Sequence, residues 1–89
     1  MENLQNKYAR LDIRKYTIPE IDIILKLGNF DTFTKEVFKR LNNGDTIVKI
    51  SMDLTEKETY GIVSVKRVNK AIREIKNKII RLTLLGKLM

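Results

Sequence analysis

Apolar residues recur along this chain at two spacings, and the difference separates clear helices from ambiguous stretches. Ile21, Ile24 and Leu25 share one helical face after Thr17-Ile18-Pro19-Glu20, where Pro falls in a first turn and Thr17 and Glu20 stand at capping-box spacing. Leu27-Gly28-Asn29 stops that helix. Asp31 can cap a second one, with Phe33, Val37, Phe38 and Leu41 as its buried stripe and Asn42-Asn43-Gly44-Asp45 as its terminator. Further on, a Gly-containing turn leads to Ser64, an N-cap residue. Val68, Ile72 and Ile75 then recur at helical spacing beside Ala71.

Other stretches fit both periods. Val48, Ile50, Met52 and Leu54 alternate with Lys49, Ser51 and Asp53 as in a strand, yet Ile47, Ile50, Ser51 and Leu54 also share a helical face. The preferred reading is a short strand over 46–50 and a helix from near Ser51, with Thr55-Glu56-Lys57-Glu58 as a second candidate helix start. Past residue 76 the reading forks again. Val65, Val68, Ile72, Ile75, Ile79 and Leu82 keep a heptad spacing, so one helix could run to Leu85 and expose a coiled-coil dimer seam. The preferred alternative ends the helix at Asn77-Lys78, because Ile79, Ile80 and Thr83 are β-branched. Residues 79–83 then form a strand, Leu85-Gly86-Lys87 a turn and Leu88-Met89 the start of a return strand. Leu11 and Ile13 alternate with Arg10, Asp12 and Arg14, as in a strand or an extended arm. The expected fold class is therefore mostly α with a small β-hairpin (α+β). Residues 1–89 form one domain, with 1–16 as an arm or short strand.

Composition narrows the chemistry. The chain has neither cysteine nor histidine, which removes thiolate zinc ligands, disulfides and the commonest general base. Asp53, Glu56 and Glu58 are the only clustered carboxylates, too few for a metal site, and none of the four glycines builds a phosphate-cradling loop. No enzyme activity, catalytic residue, metal or cofactor is expected. No apolar run is long enough to span a membrane and no signal peptide is recognisable, so a cytoplasmic location is the default.

Charge adds the decisive feature. Residues 1–30 carry five Lys or Arg against four acids, and residues 31–60 carry five against six. Residues 61–89 carry eight against Glu74 alone, a net +7 that equals the charge of the whole chain. So local a field favours a polyanion and makes its binding salt-dependent. The bases fall opposite the apolar stripe that follows Ser64. Ser64, Lys66, Arg67, Asn69, Lys70, Arg73 and Lys76 are thus candidate DNA contacts, with Arg67 and Lys70 as base-edge readers and Lys66, Arg73 and Lys76 on phosphates. Arg81 and Lys87 would sit on a hairpin beside a groove or in solvent. Arg10, Arg14 and Lys15 read as ordinary surface.

Taken in this way, residues 31–89 resemble a winged helix-turn-helix domain. The likeness is to small winged-helix proteins of Gram-positive plasmids and phages, with MarR-type regulators as broader relatives. It rests on Ile47-Val48-Lys49-Ile50-Ser51 leading into a helix, on Gly61-Ile62-Val63-Ser64, on Val65-Lys66-Arg67-Val68-Asn69-Lys70-Ala71-Ile72 as recognition helix, and on Ile79-Ile80-Arg81 opening the wing. The resemblance implies a capping role with phosphate contact for Ser64 and groove-facing positions for Lys66, Arg67, Asn69 and Lys70. It also implies a non-catalytic binder of double-stranded DNA that marks a short site in replication, conjugative transfer, maintenance or transcription. Homodimers on repeated half-sites, or contact with a replication, transfer or polymerase protein, would fit such a role. The rival expectation is a protein-interaction module whose basic C-terminal helix dimerises or docks on an acidic partner. A continuous helix over 77–89 would favour docking, and a hairpin would favour the wing.

Overall fold

The computed structural model describes residues 12–86, which form four α-helices. Helix α1 spans Ile18–Gly28, α2 Thr32–Asn42, α3 Ile47–Glu56 and α4 Val65–Leu84. Each begins at a hydroxyl or carboxylate cap whose side-chain oxygen accepts from a backbone N–H of the first turn. Thr17 and Glu20 close a reciprocal capping box on α1, which ends at Asn29 in the left-handed conformation. Asp31 accepts from the Thr34 amide at 2.8 Å, Thr46 from Lys49 at 3.1 Å and Ser64 from Arg67 at 3.1 Å.

Helix α4 is the element on which the other three converge. Its buried positions, Val68, Ala71, Ile75, Ile79 and Leu82, face Ile24 of α1, Val37, Phe38 and Leu41 of α2, and Ile50 and Leu54 of α3 in one core. The segment before α1 closes that core. Ile13 is 3% exposed, and the Asn42 side chain ties its carbonyl (2.8 Å) and the Tyr16 amide (3.0 Å) to the end of α2.

The α+β expectation is overturned. No strand occurs among the described residues, so there is no β-hairpin wing and the fold is all-α. Residues 46–50 are not a strand, because Thr46 caps a helix there and Ile47, Ile50, Ser51 and Leu54 turn one face inward. The helix starts expected near Ser51 and at Thr55 are likewise absent. At the far end α4 does not stop at Asn77-Lys78. Burial of Ile79 and Leu82 in the core outweighs the strand preference of β-branched residues, which is worth at most about 1 kcal/mol per position. The Thr83 hydroxyl donates back to the Ile79 carbonyl at 2.8 Å, and Gly86, at φ 73°, follows the helix end instead of forming a hairpin turn. Lys87 and the return strand lie outside the described residues. So does most of the 1–16 arm; its described end, Asp12–Arg14, is a turn in which Asp12 accepts from the Arg14 amide at 2.9 Å.

The heptad over α4 is real but is consumed internally. Val68, Ile75, Ile79 and Leu82 are buried in the core of this chain and Ile72 packs against it, so no coiled-coil seam is left open.

Candidate nucleic-acid interface

Side chains of α3 fasten the turn between α3 and α4. Val63, 2% exposed, enters the core just before the Ser64 cap. The Thr55 hydroxyl accepts from the Val63 amide at 2.9 Å and directs its proton to the Ser51 carbonyl at 2.8 Å. The buried Ser51 hydroxyl donates to the Val63 carbonyl. Ser51 and Thr55 lie one helical turn apart, so both polar groups of Val63 are bound by one edge of α3. The turn contains two residues of positive φ, Glu58 at 64° and Gly61 at 72°.

A second fastening comes from Arg67. Its guanidinium stacks 4.5 Å from the centre of the Phe33 ring and donates to the Tyr60 carbonyl at 2.9 Å. Phe33 in turn meets Tyr60 edge-on, with ring centres 5.2 Å apart. Asp31, the α2 cap, is held below the usual carboxylate range by its bonds from Thr34, with Arg67 adding to the effect. Arg67 therefore leans toward α2 and the turn instead of projecting with its neighbours.

The remaining candidates divide by face. With 3.6 residues per turn, Lys66, Lys70, Arg73, Asn77 and Arg81 fall opposite the buried stripe, and all five are exposed. They form one outward ridge about 22 Å long at 1.5 Å rise per residue. Asn69 and the half-buried Lys76 lie on one flank, lining an open groove with Arg14, Asp12, Ile13 and Ile72. Ser64 is exposed and its hydroxyl oxygen caps α4. Arg81 belongs to α4, not to a wing.

Every ion pair of the described residues lies on α2, α3 and the turns after them. Arg40 pairs with Glu36, Asp45 and Asp53, Lys49 with Asp45, and Lys57 with Glu36. Glu36 collects the Lys57 ammonium at 2.6 Å, the Tyr60 hydroxyl at 3.0 Å and Arg40. The Lys57 bond is the main cause that holds its carboxyl below the ordinary value. Burial, and then the bond to Glu36, push the Tyr60 phenol up. Glu36, Asp45 and Asp53 are thereby engaged with cations of the body, while no side chain of the α4 ridge enters an ion pair among the described residues.

Sequence reasoning missed three parts of this surface. Arg14 stands beside Asn69 and Lys76 only because Asn42, 29 positions from Ile13, holds that segment down. Phe33 reads as part of the buried stripe of α2 and Tyr60 as a core-edge residue, with nothing local to mark them as the seat of Arg67. Asn77 reads as a helix end in the sequence, although it continues the ridge at helical spacing.

Among the described residues, no cluster of His, Cys, Asp or Glu could hold a metal ion, and no helix is long and apolar enough to cross a membrane. Comparison with known protein families, with curated proteins and with solved structures gave no match.

Proposed function

We propose that this chain is a non-catalytic, double-stranded DNA-binding protein that contacts its target with the outward face of α4. The observation that carries the reading is the ridge Lys66, Lys70, Arg73, Asn77 and Arg81, outside every ion pair of the described residues, on a helix otherwise built into the core. Four of those five side chains are cationic, and the fifth is an amide that can bond a phosphate or a base edge. A straight 20-residue helix spans about 30 Å, too long to follow a curving groove, so its N-terminal half is the part that enters. Lys66, Lys70 and Arg73 then meet the phosphates that line the groove, while Asn77 and Arg81 reach the flanking backbone. The protein would mark a short site in the cytoplasm, in replication, transfer, maintenance or transcription of a mobile element.

Fluorescence anisotropy with duplex DNA across a salt series tests this. About four phosphate contacts give a slope of log K against log salt near −3.6. Replacing Lys66, Lys70 or Arg73 by Ala should each reduce that slope by about one. A flat salt response, or unchanged binding in the triple variant, rejects the reading.

The unbroken α4 favours a second reading, a protein-docking module. Its apolar seam is already occupied by the core, which leaves the exposed Leu84 and Leu85 at the helix end as an apolar contact beside the basic face. Loss of partner capture on Leu84→Ser with Leu85→Ser, but not on Lys70→Ala, would support that reading over the first.

A further inference from the structure

Two apolar residues near the α4 cap, Ile62 two positions before Ser64 and Val65 just after it, are open to solvent. Ile62 is 85% exposed and Val65 41% exposed, while Val63 between them is buried. A lone exposed apolar side chain needs no explanation. This pair is different because it brackets Ser64 at the tip of the ridge, next to Lys66, and neither side chain belongs to the core. The fastening of Val63 by Ser51 and Thr55 fixes the backbone that presents both.

Helical spacing extends the pattern. Val65, Asn69 and Arg73 follow one another at steps of four residues, a row that winds from the flank of Asn69 onto the ridge at Arg73, so an apolar contact, an amide and a guanidinium succeed one another along it. Arg67, which could otherwise read guanine from the first turn, is turned aside onto Phe33 and the Tyr60 carbonyl. The groups left at the tip match one base pair. In the major groove an A·T pair shows the thymine 5-methyl, which accepts apolar contact, and the adenine N6/N7 edge, which an Asn amide pairs bidentately.

We infer that Ile62 and Val65 are specificity-determining residues that seat thymine methyl groups in the major groove of A·T-containing DNA, with Asn69 on the adjoining adenine edge. This rests on the DNA-binding reading and goes beyond it by naming the bases. Charge complementarity brings the surface to DNA through Lys66, Lys70 and Arg73, and the apolar pair then selects among sequences.

The test compares anisotropy of the full chain with a duplex of alternating A·T pairs and with the same duplex carrying uracil for thymine, which lacks only the methyl. Affinity should fall on the uracil duplex by about fourfold for each methyl contacted. A duplex of G·C pairs should gain affinity when its cytosines carry a 5-methyl group, which stands in the same groove. Ile62→Ser combined with Val65→Ser should abolish the thymine-over-uracil difference and leave the salt slope unchanged, since no charge is altered. Ile62→Ser alone, at the more exposed position, should shrink the difference without loss of helix content. Equal binding of the thymine and uracil duplexes by the wild type overturns the inference. A difference that persists in the double variant overturns it too. Failure to bind any of these duplexes rejects the DNA-binding reading itself, and this inference with it.

Discussion

Arg67 rests on Phe33, its guanidinium carbon 4.5 Å from the ring centre, and so joins the first turn of α4 to the first turn of α2. The same side chain bonds the Tyr60 carbonyl, which belongs to the turn between α3 and α4. One cation thus joins three segments, whereas Lys70, a helical turn further on, is exposed and outside every ion pair of the described residues. Their consequences for stability and for binding should therefore separate. Arg67→Ala should lower the free energy of unfolding by about 1–2 kcal/mol, from the lost stacking and a charged hydrogen bond. Lys70→Ala should stay within about 0.5 kcal/mol of the wild type and weaken DNA binding instead. Urea denaturation beside anisotropy reads both.

The Val63 fastening predicts coupled mutations. Ser51→Ala should cost about 1 kcal/mol, because the Thr55 hydroxyl, 3.2 Å from the Val63 carbonyl, can turn its proton there. Thr55→Val should cost more, about 1–3 kcal/mol, since the Val63 amide is left without an acceptor. The double variant should exceed the sum of the two, which a double-mutant cycle in denaturant would measure.

Glu36 sets a pH dependence. Its carboxyl is lowered in the folded chain, first by the bond from Lys57. A group with a depressed folded pKa binds fewer protons than its unfolded counterpart. Its stabilisation is therefore complete above the unfolded pKa, near 4.3, and is lost as pH falls through the folded value. Asp31 is lowered as well, by its bonds from Thr34, and adds to the same slope. Stability should fall as the solution is acidified below about pH 4.5, and Glu36→Gln should flatten that fall. Thermal unfolding at a series of pH values checks it; an equally steep decline in the variant counts against the assignment.

The continuity of α4 can be tested at Asn77. A proline there would suit a hairpin boundary. In the middle of a helix it removes a backbone hydrogen bond and clashes with the preceding turn, at a cost of about 3 kcal/mol or more. Because Asn77 is exposed, the loss cannot come from packing. Asn77→Pro should reduce helical circular dichroism and lower the denaturation midpoint, and Asn77→Ala should do neither.

Local signals along the chain suffice to mark where three of the four helices begin and where α1 and α2 end. Thr17 with Glu20, Asp31 and Ser64 act on amides within three residues, so cap and helix stand side by side in the chain. The sequence alone also places the cationic excess on the segment that forms α4. Packing across the molecule resolves the stretches in which both periods are present, at 47–54 and 65–82. There, local preference differs by tenths of a kcal/mol, while burying one Ile or Leu is worth about 1.5–3 kcal/mol. Ile50, Leu54, Ile79 and Leu82 all find that burial as helix. Packing likewise set Arg67, which holds the body together, apart from the bases of α4 that face outward as a ridge. The positions of Phe33, Asn42 and Ile13 relative to those bases depend on contacts across some 30 residues, and no spacing within a single helix records them.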